Sequence, residues 1–384
     1  MSISADISIL GRRLTDEILA PLKQTFVGKD EIIDLIGICL IAGENLFLLG
    51  PPGTAKSAIV HELGRRLQGK TFEYLLTRFS EPNELFGPFD IRRLREGELV
   101  TNTEGMLPEA ALVFLDELLN ANSAILNSLL MALNERVLRR GRDTIHLPTV
   151  MVIGASNHLP EEDALRALFD RFLMRVRSDN VPEDHLADVL RAGWQLDLRM
   201  HEVVATFTVA DARQLHAALP QVDLTAVRPE LVDLVVRLRR AGIAVSDRRA
   251  VKLQRLVAAS ALVTGRIAAT PADLWVFRYI WDTLEQQEVL AALVQESLRK
   301  TEPAPHDHPR ARETEAPDAE ELARDLESLK AALAREGQPP AERAILRDRL
   351  GILAGRTQWV KNDSQRQSLQ QQVNDLWSVA GAAE

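Results

Sequence analysis

Short apolar runs alternate with stretches of helical spacing along the first half of the chain. Between residues 10 and 42 the apolar positions recur at helical intervals, and the apolar run at 45–49 then stops abruptly at Gly50. Runs of similar length follow at residues 72–76, 111–115, 150–154 and 172–176. Five short strands separated by helical or loop-like sequence are typical of an α/β layer with a largely parallel sheet. The pattern therefore predicts an α/β domain over residues 1–185.

Beyond Pro182 the strand signals end and amphipathic helices take over, which predicts an all-helical domain over residues 186–298. Apolar residues fall on one face of each of two helices, at Leu231, Leu234, Val235 and Leu238 and at Val251, Leu253, Leu256 and Val257. The clearest helix start is Thr270-Pro271-Ala272-Asp273, which supplies an N-cap, a proline at the first helical position and an acid in the first turn. We expect the aromatic residues that follow to lie in the core, namely Trp275, Phe277 and Trp281.

The last part of the chain changes composition twice. Residues 299–321 contain four prolines and no Val, Ile, Leu, Met or aromatic residue, so we expect a flexible linker in which His306 and His308 are exposed. A helical leucine stripe follows at Leu322, Leu326, Leu329 and Leu333. The sequence predicts a small three-helix region over residues 322–384 with a marginal core of its own.

The overall composition is that of a globular chain. Of 384 residues 46% are hydrophobic, and 46 Lys and Arg against 55 Asp and Glu leave a net charge of −9. Wholly disordered chains are excluded, and a surface that binds nucleic acid or anionic lipid over its whole extent is disfavoured. The single cysteine, Cys39, excludes an intrachain disulfide and a cysteine-based metal site. The absence of a leader-like N-terminus and of about 18 consecutive apolar residues predicts a cytoplasmic protein without a membrane span.

The segment Gly50-Pro51-Pro52-Gly53-Thr54-Ala55-Lys56-Ser57 lies where a predicted strand turns into a helix. This is the context of a phosphate-binding loop, in which backbone amides surround the phosphates and the helix N-terminus faces their negative charge. Lys56 would reach the β and γ phosphates, and the Ser57 hydroxyl would ligate Mg²⁺. The general pattern has glycine immediately before the lysine, where this chain has Ala55.

Polar residues also end two of the other predicted strands. Asp116 and Glu117 follow the apolar run 112–115, and Asn157 follows the run 152–156. Ligands of open parallel sheets bind at the carboxyl ends of the strands. Asp116 is placed to hold the Mg²⁺ shell, Glu117 to polarise a water for attack on a γ-phosphate, and Asn157 to hydrogen-bond that water. Arg171 and Arg248, each following an aspartate, are weak signals when taken alone.

Together and in this order these motifs resemble the AAA+ ATPases, and more closely the MoxR family, over about residues 10–290. Ala55 before the lysine matches the MoxR pattern. Four segments resemble most the regulatory ATPase variant A (RavA) branch, namely residues 74–80, 84–88, 107–110 and 245–249. The resemblance implies an AAA+ P-loop NTPase, in which a parallel sheet carries a helical lid domain. It also implies bound ATP and Mg²⁺ and a homohexameric ring.

The resemblance also assigns roles to single residues. It implies that Asn157 is the sensor 1 residue and that Arg171 is the arginine finger inserted into the neighbouring subunit's site. It implies further that Arg248 is the sensor 2 residue of the lid, and that Val27 and Gly28 lie against the adenine. One departure from the RavA branch is the absence of a β-rich insert, in whose place the proline-rich linker stands, so functions attached to that insert are not transferred.

Two segments, residues 91–100 and 137–147, correspond to the family's insert after the second strand and its hairpin before sensor 1, both of which face a central pore. Together with Arg136, which directly precedes the second segment, they carry the arginines of the one confined basic region, at Arg92, Arg93, Arg95, Arg139, Arg140 and Arg142. Two interpretations stay open at this point. The arginines form either a solvated hairpin face or a contact for an acidic segment of a partner.

The leading hypothesis is an ATP-hydrolysing ring that remodels, activates or assembles partner proteins, with a von Willebrand A (vWA) domain protein as the partner that the MoxR resemblance implies. The alternative is a nucleic-acid translocase or restriction-type NTPase motor that applies the arginine hairpins to a nucleic-acid backbone. A third hypothesis, a nucleotide-gated scaffold without turnover, fits poorly because Lys56, Glu117 and Arg171 are all present.

Overall fold

The structure is a computed structural model that describes residues 3–96, 100–140, 143–198, 206–299, 304–312, 319–333 and 363–381, together with residues 346–347, 350–351, 353–354 and 357. The chain forms two compact units, Met1–Arg312 and Glu313–Glu384. No helix in these described ranges has the length and hydrophobicity that a membrane span requires.

A five-stranded parallel sheet forms the centre of the larger unit. Its strands are β1 (Leu46–Leu49), β2 (Thr71–Leu75), β3 (Leu112–Asp116), β6 (Met151–Ser156) and β7 (Met174–Arg177), in the order β2-β3-β6-β1-β7. β1 and β6 are buried along their whole length, as their uninterrupted apolar sequences require of central parallel strands. The predicted α/β fold class with a parallel sheet is confirmed.

Helices cover the sheet and connect its strands. They are α1 (Ile3–Arg13), a π-helical turn (Leu14–Leu19), α2 (Ala20–Thr25), α3 (Asp30–Ala42), α4 (Lys56–Arg66), α5 (Pro82–Phe86), α6 (Ile91–Arg95), α7 (Ser123–Glu135) and α8 (Asp163–Phe169). Short 3₁₀ turns lie at Leu107–Glu109, Leu118–Asn120 and Glu183–His185. The remaining strands, β4 (Val137–Arg140) and β5 (Asp143–His146), pair antiparallel as the hairpin expected at residues 137–147.

The second half of the larger unit is helical, as predicted. Its elements are α9 (Leu186–Leu198), α10 (Val209–Ala218), α11 (Arg228–Arg240), α12 (Asp247–Val263), a 3₁₀ helix (Pro271–Tyr279) and α13 (Glu285–Arg299), with a 3₁₀ turn at Leu219–Gln221. Thr270 and Asp273 form the expected capping box, and the aromatic residues after them are buried. The predicted boundary at residue 185 stays a prediction.

One predicted core position is wrong. Val251 is 58% exposed, whereas Leu253, Leu256 and Val257 on the same helix are fully buried. Val251 and Leu253 are separated by roughly 200° around the helix axis, so both cannot face the same core.

Residues 304–312 of the expected linker belong to the larger unit, and two of their side chains are buried in it, those of Asp307 and His308. His308 is 2% exposed and its ring stacks on Trp275 with 4.5 Å between ring centroids. Arg310 in the short helix α14 (Pro309–Arg312) lies 2.9 Å from Asp34 on α3. The expectation that His308 is exposed is wrong, because its imidazole packs on an aromatic ring and the neighbouring guanidinium pairs with a buried carboxylate. The flexibility of the linker stays a prediction. His306 is exposed, as expected. Of the remaining segment, Arg299 ends α13 and residues 319–321 begin the next helix, while 300–303 and 313–318 lie outside the described residues.

The smaller unit contains α15 (Ala319–Leu333) and α16 (Asp363–Gly381). Its buried core consists of Leu322, Leu326, Leu329, Leu350, Leu353, Leu369, Val373 and Leu376. The leucine stripe therefore buries three of its four predicted members, while Leu333 packs at the margin. Only isolated residues of the helix expected between α15 and α16 are described.

Candidate functional site

The predicted phosphate loop and the predicted polar strand ends meet at the carboxyl edge of the sheet. Gly50 follows β1, Asp116 ends β3, and Asn157 follows β6. β3, β6 and β1 are neighbours in the sheet and run parallel, so their ends emerge on one side. The sheet order thus brings together side chains that are more than 100 residues apart in sequence.

The loop between β1 and α4 holds two residues in the left-handed region, Gly53 with φ +83° and Ala55 with φ +65°. A Cβ atom on Gly50 would lie 2.2 Å from the backbone oxygen of Ser178, so only glycine fits where the loop leaves the sheet. A left-handed conformation costs an L-residue such as alanine roughly 1–2 kcal/mol. Ala55 therefore adopts, at some cost, the conformation that glycine takes in the general pattern.

Lys56 and Thr54 are buried within this loop, whereas Pro51, Pro52 and Ser57 are exposed. Lys56 Nζ donates to the backbone oxygens of Gly50 at 2.7 Å and Pro51 at 3.0 Å. Thr54 Oγ1 donates to Pro51 O at 3.1 Å. The ammonium group is thereby held inside the loop, and α4 begins at Lys56 with its first amides directed at the loop.

Ser178, which directly follows β7, closes the loop from the other side and had no signal in the sequence pattern. Its Oγ donates to Thr54 Oγ1 at 3.0 Å, and its backbone nitrogen donates to Leu49 O at 2.7 Å. The loop is therefore anchored to two neighbouring strands.

The paired carboxylates lie at the end of β3, both half-buried. Asp116 Oδ1 accepts a hydrogen bond from the backbone nitrogen of Glu117 at 3.0 Å. Glu117 has φ +49°, which turns the chain sharply out of the strand, and its Oε2 lies 3.5 Å from Nδ2 of Asn120. Because the chain turns sharply at Glu117, the carboxylates of Asp116 and Glu117 are available for different roles at the carboxyl edge of the sheet. Asn157 is exposed beside them.

Val27 and Gly28 precede Lys29, whose burial the sequence pattern did not predict. Lys29 is 7% exposed, and its ammonium group donates to the backbone oxygen of Asp179. Burial lowers the pKa of Lys29, and repulsion by the charge of Lys56 lowers it further. The negative charge of Asp179 acts in the opposite direction and raises it. Asp179 directly follows Ser178, which bonds Thr54 of the phosphate loop, so the segment expected against an adenine lies near that loop.

The structure separates the arginines by environment. Arg171 lies between α8 and β7, at the amino edge of the sheet, and its backbone oxygen accepts from Asn45 Nδ2 at 3.0 Å. Its Nε is buried and makes no hydrogen bond to any described residue. β1 alone spans roughly 13 Å between this edge and the phosphate loop.

Arg175, four residues later, is a structural residue. It is 1% exposed, donates to Trp281 O at 2.6 Å and pairs with Asp282. Burial lowers its pKa to about 10, against the attraction of Asp282. In the lid, Arg249 bonds Asp282 as well, at 3.1 Å, whereas Arg248 is exposed and forms no ion pair with any described residue.

Within the described residues no three His, Cys, Asp or Glu side chains are grouped as a metal site. Mg²⁺ at nucleotide sites takes few protein ligands, and hard oxygen donors suit it. The exposed hydroxyl of Ser57 and the half-buried carboxylate of Asp116 are such donors, so the residues present fit the cation that the sequence predicts.

The arginine-rich segments differ from expectation in one respect. Arg92, Arg93 and Arg95 are exposed on or beside α6, and Arg139 is exposed on the hairpin. Arg136 instead has φ +52° and directs its guanidinium into the structure, where Nη2 donates to Asn45 Oδ1 at 2.7 Å. Gly141 and Arg142 lie outside the described residues, as does the side chain of Arg140.

Comparison with known proteins agrees with this geometry. A family model for the MoxR domain in the MoxR-vWA-beta-propeller ternary systems matches residues 12–217, and one for an AAA lid domain matches residues 223–294. An uncharacterised Methanocaldococcus jannaschii protein is 32% identical over 282 residues, which are 73% of this chain and 73% of that protein. The chaperone MoxR1 of Mycobacterium tuberculosis is 24% identical over 304 residues, 75% of this chain and 78% of that protein.

A solved structure supports the fold at low sequence identity. It is that of a candidate ATPase from Cytophaga hutchinsonii, which matches with a TM-score of 0.62 and 19% identity over 77% of this chain and 97% of that one. Together with the parallel sheet and the matched lid domain, this shows the AAA+ fold. Since the MoxR model alone spans more than half of the sequence, the chain belongs to the MoxR family of AAA+ proteins.

Proposed function

We propose that this protein is an Mg²⁺-dependent ATPase that hydrolyses ATP at the carboxyl edge of its sheet. The observation that supports the proposal most is the convergence of the phosphate loop, the paired carboxylates and Asn157 on three neighbouring parallel strands. Each group there has a use in phosphoryl transfer, which depends on positioning and on electrostatic stabilisation rather than on covalent chemistry by the protein.

In this proposal the loop 50–57 surrounds the phosphates with backbone amides, and Lys56 moves its ammonium group from the loop carbonyls to the β and γ oxygens. Ser57 and Asp116 hold Mg²⁺, which when bound neutralises charge on the phosphates. Glu117 accepts a proton from the attacking water and Asn157 orients that water. Val27 and Gly28 lie against the adenine.

The proposal places Arg171 in the active site of a neighbouring subunit of a homohexamer. Its support is the position of Arg171 at the sheet edge opposite its own phosphate loop, where its backbone is bonded to Asn45. A guanidinium is always charged and forks onto phosphate oxygens, so it stabilises charge that develops in the transition state. Arg248, exposed at the start of α12, closes on the nucleotide from the lid of the same subunit.

We propose further that hydrolysis drives remodelling or activation of a partner that carries a vWA domain. The support is the description of the matching model, which places such MoxR domains in ternary systems with a vWA and a beta-propeller component. The nearer resemblance to the RavA branch stays a prediction, as does the cytoplasmic location. The net charge of −9 disfavours nucleic acid as the partner, and stimulation by DNA is kept as an outcome of the test.

The test measures phosphate release by the wild type, by Glu117→Gln and by a matched control, Glu73→Gln, which makes the same change at an exposed position of β2. Glu117→Gln should bind ATP and lose most of its turnover, while the control keeps it. Equal turnover in all three would contradict the proposed role of Glu117. Pull-down with ATP-bound Glu117→Gln then identifies the partner. Salt-sensitive stimulation by DNA would instead favour the translocase.

A further inference from the structure

A cavity of about 470 Å³ lies in the larger unit, away from the phosphate loop. Its walls include Gly43, which precedes β1, and Val150, which precedes β6. These residues stand at the amino ends of strands whose carboxyl ends carry Gly50 and Asn157. The cavity therefore opens at the amino edge of the sheet, and its volume falls in the range of small-molecule sites.

Arg136 is one of the residues that line the cavity. Nη2 donates to the neutral amide oxygen of Asn45 at 2.7 Å, whereas Nη1 is buried and makes no hydrogen bond to any described residue. Burial lowers the pKa of Arg136 to about 10, with the charge of Glu44 opposing it, so the group is still a cation at neutral pH. A buried cation that lacks an anionic partner is unfavourable unless a further group compensates it.

The charge of Glu44 supplies part of that compensation. The described residues that line the cavity include no Asp or Glu. The nearby carboxylate of Glu44 is already engaged with Lys252 Nζ at 2.7 Å and with Arg255 Nη1 at 3.9 Å. Arg136 thus lines a cavity whose described walls offer its guanidinium no carboxylate.

Further cationic or titratable groups surround the mouth of the cavity. Arg213 is exposed there and donates to Pro148 O at 2.6 Å, and His146 lines the same opening. His216 also lines the cavity, and its Nδ1 lies 2.8 Å from the backbone oxygen of Ile41 at the end of α3. This approach needs Gly43, because a Cβ at that position, where φ is +68°, would lie 2.7 Å from the imidazole.

We propose that this cavity binds a small oxyanion, a phosphate or carboxylate group, between Arg136 and Arg213. The planar fork of arginine matches both groups, and charge-assisted hydrogen bonds to a buried oxyanion are the stronger kind. The ligand would contact three elements at once: the end of α3, the base of the β4–β5 hairpin and α10 of the helical half. Asn45 joins this site to the backbone of Arg171.

The experiment titrates the full chain separately with inorganic phosphate and with malonate at constant ionic strength, and follows binding by calorimetry. Saturable binding of at least one probe is expected, and the stronger of the two identifies the oxyanion. Arg136→Lys and Arg213→Gln should each weaken that binding about tenfold, the worth of a charged hydrogen bond. Arg139→Gln is the matched control, since it removes the same charge from an exposed position of the hairpin outside the cavity, and it should bind like the wild type.

Three results would overturn the proposal. The first is that the wild type binds neither probe saturably. The second is that both cavity variants bind with wild-type affinity. The third is that Lys56→Ala loses binding, which would place the anion in the phosphate loop. Arg136→Gln is not used because loss of its bond to Asn45 endangers folding. Arg213 is exposed, so its variant tests the site even if Arg136→Lys unfolds the protein.

Discussion

Mild acid is expected to destabilise the larger unit through His308. The ring is buried against Trp275, and its Nδ1 accepts a hydrogen bond from the backbone nitrogen of Arg310 at 3.2 Å. Burial lowers the pKa of His308 to about 4, and the cations Lys23, Arg310 and Arg266 add to this, while Asp34 opposes it. A protonated Nδ1 could no longer accept the bond from Arg310.

The sign and size of the effect follow from the two pKa values. An unfolded histidine has a pKa of about 6.5, so the unfolded state takes up the proton first, and stability that is complete above this value is lost as the pH falls towards 4. At pH 5 protonation favours the unfolded state over the folded state by a factor of about 30, which is about 2 kcal/mol. At pH 7 the same effect is only about 0.2 kcal/mol.

Urea unfolding of the full chain at pH 7 and pH 5 measures this loss. The wild type should lose about 2 kcal/mol more between these pH values than His308→Gln, which cannot titrate. His306→Gln is the control, because His306 lies two residues away and is exposed, and it should behave like the wild type. If the wild type and His308→Gln lost equal stability, His308 would not be buried, and residues 304–312 would be the flexible linker that their composition indicates.

Three further predictions concern the nucleotide site, the ring and the lid. Lys56→Ala should lose most of the stabilisation that ATP with Mg²⁺ confers, about 2.7 kcal/mol at a hundredfold excess over Kd; an unchanged thermal shift would place the nucleotide elsewhere. Arg171→Ala and Lys56→Ala, each inactive, should recover phosphate release when mixed, and a co-assembled mixture without activity would refute action in the neighbouring subunit. Asp273→Ala should cost roughly 3 kcal/mol in urea unfolding, because it removes the fully buried carboxylate that pairs with Arg266 and accepts the hydrogen bond of the Ser260 hydroxyl; a loss below about 1 kcal/mol would contradict this.

A last prediction uses the end of the larger unit at Arg312. Truncation after residue 312 should leave nucleotide binding intact, since the motifs and the docked residues 304–312 all precede it. Calorimetric titration with ADP measures this, and failure of the truncated chain to bind would make the smaller unit part of the nucleotide site.

The sequence alone determined the features that depend on local periodicity and chemistry. The apolar runs predicted the strands of the sheet, and the polar residues at their ends predicted which groups meet at its carboxyl edge. This succeeds because parallel strands bring their carboxyl ends to one side whatever the details of packing. The contacts of Lys56 within the loop were readable because they join residues at most six positions apart. The anchor of the loop at Ser178 was not, since it joins residues 124 positions apart.

Only the tertiary structure decided which charged residues are available for chemistry. Arg171 and Arg175 look alike in sequence, but Arg175 is buried on Asp282, which lies 107 residues away. Arg310 bonds Asp34 over a separation of 276 residues, so no local pattern distinguishes its segment from a linker. The cavity at Arg136 likewise joins segments from three parts of the chain. Whether a charged residue is buried or paired depends on which distant segments pack together, and this packing cannot be predicted from local sequence or composition.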